Sequence, residues 1–238
     1  MSSQIEDHLN GLKAASEACI EATLRDHRAS LGEIHLLDED VAAWLTKITG
    51  PERVQISAAR RELALAEYSV ASGLYRQAFA SLRLFLELSF AAVHFSVNEF
   101  ERRQWNADRT DFSWSAALDE DKGVLSAGFV VEFLPEVKSD ARVFAAAAAT
   151  CYRACSQFVH GKAAATRLLP DGIEYRAAVV EDWCANATLG GEAVLFLLMV
   201  RYCADVTAEL DDSLSEILAS RFGHLTAIRE LVGLAEEK

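Results

Sequence analysis

An arginine, a serine and a histidine interrupt an alanine-rich, apolar part of the chain between residues 150 and 161. At about 100° per residue, Arg153, Ser156 and His160 fall within one narrow sector of a helix, and Gly161 then supplies the residue type that ends helices. Cleavage of RNA through its 2′-hydroxyl needs a base, an acid and a cation that stabilises the charged phosphorane, and an arginine with a histidine can supply them. The simpler alternative is a helix end at which His160 bonds the last carbonyl groups of its own helix.

The longest apolar segment of the chain carries a second polar stripe. Charged side chains inside a buried helix are costly unless they are paired, so we expect Arg83 and Glu87, one helical turn apart, to pair with each other or with the helix of Arg153 and His160. A network of this kind can also fix helix register without performing any chemistry. The residues that fall on one side of the segment at helical spacing are Arg76, Arg83, Glu87, His94 and Asn98.

These two stripes resemble the HEPN (higher eukaryotes and prokaryotes nucleotide-binding) superfamily, and in particular helical proteins of bacterial defence and toxin systems. The resemblance rests on Arg153, six further residues and then His160 near a helix end, and on residues 73–78 followed by Arg83 and Glu87. It extends over about residues 52 to 206.

The resemblance implies a metal-independent endoribonuclease in which Arg153 and His160 of two copies act across a homodimer cleft. A regulatory protein partner or assembly would hold it in check. The side chains expected to support the catalytic pair are Tyr152, Ser156, Arg83, Glu87 and His94. The alternative is a non-catalytic interaction or scaffold module of the same fold. Two features favour that alternative: Ala154 stands where the family commonly has a polar residue, and the net charge is −13.

A second candidate for RNA binding follows the long apolar segment. Cations alternate with aromatic rings there, as they do on proteins that bind single-stranded nucleic acid. An ordinary helix end with salt bridges would have the same composition. The residues concerned are Arg102, Arg103, Trp105 and Arg109, with Trp114 a few positions further on.

Neither a metal nor a cofactor is expected. Cys151 and Cys155, one turn apart with His160 nearby, could offer ligands to zinc, but zinc sites favour closer cysteine pairs and a fourth ligand is not visible. We expect a packed apolar seam instead. Gly190 and Gly191 lack the other residues of a phosphate-binding loop. A bundle that binds a small molecule is a third hypothesis, supported only by the buried polar stripe.

The hydrophobic pattern predicts an all-α bundle of about seven helices with one short β-hairpin. The hairpin is expected around residues 170–172, between strand-like runs at 165–169 and 173–178. The predicted helices cover about residues 5–28, 38–48, 51–72, 74–105, 140–160, 183–206 and 214–236, and residues 106–139 are expected to form loops with one or two short helices.

Composition limits the remaining hypotheses. Hydrophobic residues make up 51% of the 238 residues, with only 3 Pro and 12 Gly, so the chain can bury a large core. The charge of −13 argues against broad, nonspecific coating of nucleic acid. Five cysteines in apolar context, with no leader pattern, indicate a cytoplasmic protein without a membrane span. We expect an N-terminal helical extension over residues 1–50, a HEPN-like domain over 51–238, and a homodimer.

Overall fold

The computed structural model describes residues 2–206 and 212–233, and all regular secondary structure in these ranges is helical. One 3-10 turn, Pro135–Val137, precedes α7. In chain order the helices are α1 (Ser2–Lys47), α2 (Arg53–Ala71), α3 (Tyr75–Val97), α4 (Glu99–Asn106), α5 (Trp114–Ala117), α6 (Ala127–Phe133), α7 (Ala141–Val159), α8 (Ala163–Thr166), α9 (Ala177–Val206), α10 (Asp212–Phe222) and α11 (Thr226–Leu231).

The all-α prediction is confirmed, but the predicted number of helices is wrong, because the described residues form eleven α-helices. The long run predicted from 74 to 105 is broken at Asn98, whose side-chain amide donates to the backbone carbonyl of His94 at 3.0 Å. This local bond competes with the helical ladder. The predicted closing helix from 214 to 236 is divided between α10 and α11, and its last residues, 234–236, lie outside the described ranges.

The predicted β-hairpin is wrong: within the described ranges no strand forms on either side of Pro170. Three consecutive alanines at 163–165 favour the helical turn α8 over a strand. Backbone groups of residues 173–176 bond to a side chain instead. The Tyr75 hydroxyl donates to the Glu174 carbonyl at 3.1 Å and accepts from the Arg176 amide at 2.7 Å.

Helix α1 joins the two helices that were predicted at 5–28 and 38–48. The join is a kink at His27, where the backbone has φ −129° and ψ 18°. Beyond the kink, α1 contributes apolar side chains to the same core as the other helices, and these are Ile34, Leu37, Val41, Trp44 and Leu45.

Helix α9 lies in the middle of the bundle and packs against α1, α3, α6 and α7. Two adjacent glycines allow these close approaches. A β-carbon at Gly190 would lie 2.8 Å from the Cys151 sulfur of α7, and one at Gly191 would lie 2.3 Å from a methyl group of Leu37 of α1.

Helices α3 and α9 are long and apolar enough to cross a membrane by length and composition alone. In each, most of the apolar stretch is buried inside the protein, as it is in core helices of soluble proteins, so composition alone is weak evidence for a span.

Candidate functional site

The candidate site lies at the C-terminal end of α7. The buried side of this helix packs against α3 and α9, and its members are Phe144, Ala148, Cys151, Cys155 and Phe158. The helix ends at His160, and Gly161 follows with φ +61°. The Gly161 amide donates to the Phe158 carbonyl at 3.2 Å, and the Lys162 amide donates to the Gln157 carbonyl at 3.0 Å. These bonds form a Schellman motif, which needs a residue that tolerates positive φ.

Arg153 and His160 point away from the bundle. Both are exposed, and neither side chain makes a hydrogen bond or ion pair with any residue that the structure describes. They lie about 10 Å apart along the helix axis, since α-helices rise 1.5 Å per residue. Every residue of the 3,4-spaced row that contains them is exposed, and the row comprises Val143, Ala146, Thr150, Arg153, Gln157 and His160.

Tyr152, the neighbour of Arg153, lies on a different face of α7 and joins a polar network with α3. The Arg83 guanidinium donates to the Glu87 carboxylate at 3.0 Å and to the Tyr152 hydroxyl at 2.6 Å. That hydroxyl in turn donates to the same Glu87 oxygen at 2.9 Å. Burial and the bond to Glu87 raise the pKa of Tyr152. The Tyr152 ring stacks on Trp114, with centroids 4.2 Å apart.

The other two predicted supporting residues have local partners. The Ser156 hydroxyl donates to the Tyr152 carbonyl, one turn back in its own helix, at 2.8 Å. His94 lies 2.7 Å from the Glu101 carboxylate and packs edge-on against Phe95 and Phe112. These contacts place His94 at the junction of α3 and α4 rather than in the exposed row of α7.

The second candidate for RNA binding is largely occupied by intramolecular contacts. Arg102 and Arg103 both bind the Glu99 carboxylate, at 2.7 Å and 2.6 Å. These two guanidinium groups lower the pKa of Glu99. The Trp105 ring packs against Phe95, with centroids 5.3 Å apart. Arg109 is exposed. These contacts do not assemble an open row of stacking rings.

The α7 region differs from the rest of the chain in charge. Residues 141–170 contain Arg142, Arg153, Lys162 and Arg167 but no aspartate or glutamate, in a protein of net charge −13. The structure adds a fifth cation, because the Arg76 guanidinium of α3 lies beside Gly161. Sequence analysis placed Arg76 on the polar stripe of the central segment and missed its position at the end of α7.

The cysteines form no metal site among the described residues, where no group of His, Cys, Asp and Glu has the arrangement of a metal centre. All five are buried. A hydrogen bond with Cys151, together with burial, raises the pKa of the Cys155 thiol. Burial also raises the pKa of Cys184 to about 11. Thiols of this kind stay protonated and pack as small apolar groups.

A polar cluster that sequence analysis missed lies at the kink of α1. His27 Nε2 lies 2.9 Å from the Tyr175 hydroxyl, which donates to the Asp26 carboxylate at 2.9 Å. Burial and Asp26 raise the pKa of Tyr175 to about 12. The ring of Tyr175 comes 148 residues after His27, so no spacing rule could join them. These hydrogen bonds join the segment before α9 to α1.

No family model matches the chain, and the comparisons with curated proteins and with solved structures find no match either. The chemistry of the site therefore has to be argued from its own geometry.

Proposed function

We propose that the protein is a metal-independent endoribonuclease of HEPN type that acts as a homodimer, with Arg153 and His160 at its active site. Arg153 binds the scissile phosphate, and His160 transfers protons. The biological setting that fits such an activity is a cytoplasmic bacterial defence or toxin effector, restrained by a regulatory protein or by assembly.

The observation that carries this proposal is that both side chains are exposed and have no hydrogen-bond partner among the described residues. When a histidine has a structural role at a helix end, its ring nitrogens normally form hydrogen bonds with nearby acceptors or donors. The His160 ring has no such bond within the described ranges, and the amides of Gly161 and Lys162 already bond to the carbonyls of residues 158 and 157. Lys162 and Arg167 add positive charge near the pair and residues 141–170 contain no carboxylate, so this end of α7 attracts a polyanion that the remainder of this acidic surface repels.

The reaction follows from these two groups. A neutral imidazole removes the proton of the 2′-hydroxyl, and the 2′-oxygen attacks phosphorus. The bond from phosphorus to the 5′-oxygen breaks, and a protonated imidazole gives its proton to that leaving oxygen. The products are a 2′,3′-cyclic phosphate and a 5′-hydroxyl. The Arg153 guanidinium donates two hydrogen bonds to the phosphate oxygens while negative charge develops there.

One copy supplies a single histidine to this site, whereas the reaction uses a base and an acid. Two copies supply both. The exposed row of α7 is suited to a helix pair, because its 3,4 spacing is that of a coiled-coil seam. An antiparallel pairing of two α7 helices that is centred between Arg153 and His160 would set each His160 opposite Arg153 of the other copy.

The test is cleavage of labelled single-stranded RNA by purified protein in EDTA. The parent should cleave it, and His160→Ala should lose about 100-fold or more in rate, the usual contribution of a general acid–base group. Arg153→Lys should also lose activity, since lysine keeps the charge but not the planar fork. Both variants should melt and sediment like the parent. A well-folded parent that leaves the RNA intact, with candidate partners removed, contradicts the proposal.

The alternative function, a non-catalytic interaction module, is supported by a different surface. The first helical turns of α1 expose an apolar row of Ile5, Leu9 and Leu12, at 54%, 55% and 40% of their full accessibility. Such a row is typical of a helix that packs against another protein. If the module is correct, replacing these three residues by serine abolishes partner binding, and His160→Ala leaves it unchanged.

A further inference from the structure

Arg76 is placed where it can contact the ligand of the α7 site. It belongs to the first turn of α3, and its side chain is half-buried. A β-carbon built on Gly161 would lie 3.3 Å from the Arg76 Nη1 atom. A guanidinium from α3 thus lies beside the residue that follows His160 at the end of α7.

The Arg76 side chain has no partner among the described residues, with which it forms neither a hydrogen bond nor an ion pair. Five other half-buried arginines each bind a carboxylate, and these are Arg60, Arg83, Arg102, Arg201 and Arg221. A chain with 36 acidic residues has no shortage of possible partners for Arg76. A partly desolvated guanidinium left with all its donors free is a candidate for contact with an external anion.

The fold does not account for Arg76 as a stabilising residue. It is the second residue of α3, and a cation at the N-terminal end of a helix opposes the helix dipole. The carbonyl end of α7 offers a compensating field, but no hydrogen bond joins Arg76 to its carbonyls, and those of residues 156–158 accept from the amides of residues 160–162.

We infer that Arg76 is a phosphate-contacting residue of the site at the end of α7. It would bind a backbone phosphate next to the one that Arg153 holds, on single-stranded RNA. This inference rests on the proposed function for its ligand. It concerns binding rather than proton transfer.

The test separates binding from cleavage by using a short 2′-O-methylated RNA oligomer, which lacks the attacking hydroxyl. Fluorescence anisotropy in EDTA, over a series of salt concentrations, compares the parent with Arg76→Gln. The control is Arg142→Gln, because Arg142 is likewise the second residue of its helix and unpartnered among the described residues. It lies about 27 Å from His160 along α7, at 1.5 Å per residue.

We expect Arg76→Gln to bind the oligomer about tenfold more weakly, as for the loss of one charge-assisted contact. The slope of log affinity against log salt should fall by about 0.7, the value for one phosphate of a single strand. Arg142→Gln should behave like the parent. Arg76→Lys, which retains the charge, should melt like the parent and fall between parent and Arg76→Gln in affinity, and it decides the question if the glutamine variant does not fold.

The outcomes distinguish the two proposals. If Arg76→Gln binds as Arg142→Gln does, the inference about Arg76 is wrong even if the parent cleaves RNA. If binding depends on Arg76 but the parent leaves natural RNA intact, the endoribonuclease proposal fails while the phosphate contact stands. If the parent does not bind the oligomer at all, both are wrong.

Discussion

Tyr152 and Arg153 are neighbours in α7, yet their side chains belong to two different kinds of polar region. Tyr152 turns toward α3, where Arg83 and Glu87 use its hydroxyl as both acceptor and donor. Arg153 turns toward solvent and bonds to nothing within the described ranges. The difference arises from the 100° step of the helix, which puts consecutive side chains on different faces.

The comparison distinguishes polar groups that bond to one another within the protein from polar groups that remain available to a ligand. In the network of Arg83, Glu87 and Tyr152, each group is bonded to the other two. In the row that contains Arg153 and His160, the side-chain donors of these two residues are unused by the described residues. Both regions looked alike in sequence, as polar stripes on apolar helices. The two regions differ in their hydrogen-bond partners, which the structure shows and the sequence does not.

Breaking the network of Arg83, Glu87 and Tyr152 should destabilise the protein. Glu87→Ala leaves Arg83 and the Tyr152 hydroxyl, both partly buried, without their acceptor, because the Arg83 and Glu87 side chains are only 22% and 28% accessible. We expect a loss of about 2 kcal/mol in the free energy of unfolding, the range for an orphaned, partly solvated ion-pair partner. Urea denaturation measures it.

The matched control for this change is Glu99→Ala, which removes a carboxylate that also binds arginines but is 54% accessible. Exposed pairs contribute little, so this variant should unfold close to the parent. If both alanine variants unfold at the same urea concentration, the network of Arg83, Glu87 and Tyr152 is not structural, and the two regions of α7 do not differ as described.

Periodicity predicted the helices well because each depends on residues close in sequence. It predicted the end of the α7 helix at His160 and the pairing of Arg83 with Glu87 for the same reason. It also predicted a helix end near residue 28, where α1 has its kink at His27. The hairpin prediction was wrong because Pro170 and Gly172 indicate a turn without indicating what the flanking segments pair with.

Long-range contacts were outside the reach of the sequence patterns. The bonds of Tyr75 to residues 174 and 176, and of His27 to Tyr175, join segments about a hundred residues or more apart. The position of Arg76 beside Gly161 is of the same kind. A pattern could show that Arg76 is polar in an apolar helix, but not which helix end it reaches.

A third kind of polar group, buried and incompletely bonded, extends the comparison. One oxygen of Glu67 in α2 is buried without a partner among the described atoms. Burial raises the pKa of this carboxyl group from 4.5 to about 7, although His35 partly opposes the shift. Its folded-state pKa is higher than the unfolded one, so its contribution is most favourable below about pH 4.5 and is lost as the pH rises through 7.

Glu67→Gln should therefore be more stable than the parent at pH 8, by an amount on the order of 1 kcal/mol. The advantage should shrink as the pH falls through 7 and vanish below about 4.5, where the parent carboxyl is neutral too. Unfolding free energies at several pH values measure it. A difference that stays constant over this range would show that Glu67 does not ionise with a raised pKa.

The variant with the smallest expected effect tests most directly whether the two faces of α7 have separate roles. Tyr152→Phe removes the hydroxyl that bridges Arg83 and Glu87 but keeps the ring that stacks on Trp114, and the direct bond from Arg83 to Glu87 remains. We expect a loss of about 1 kcal/mol in stability, the net value of one hydrogen bond. The rate of RNA cleavage should stay within about twofold of the parent, since Arg153 and His160 contact neither group. A large loss of cleavage in a variant that still folds would place Tyr152 in the active site and join the regions that the structure separates.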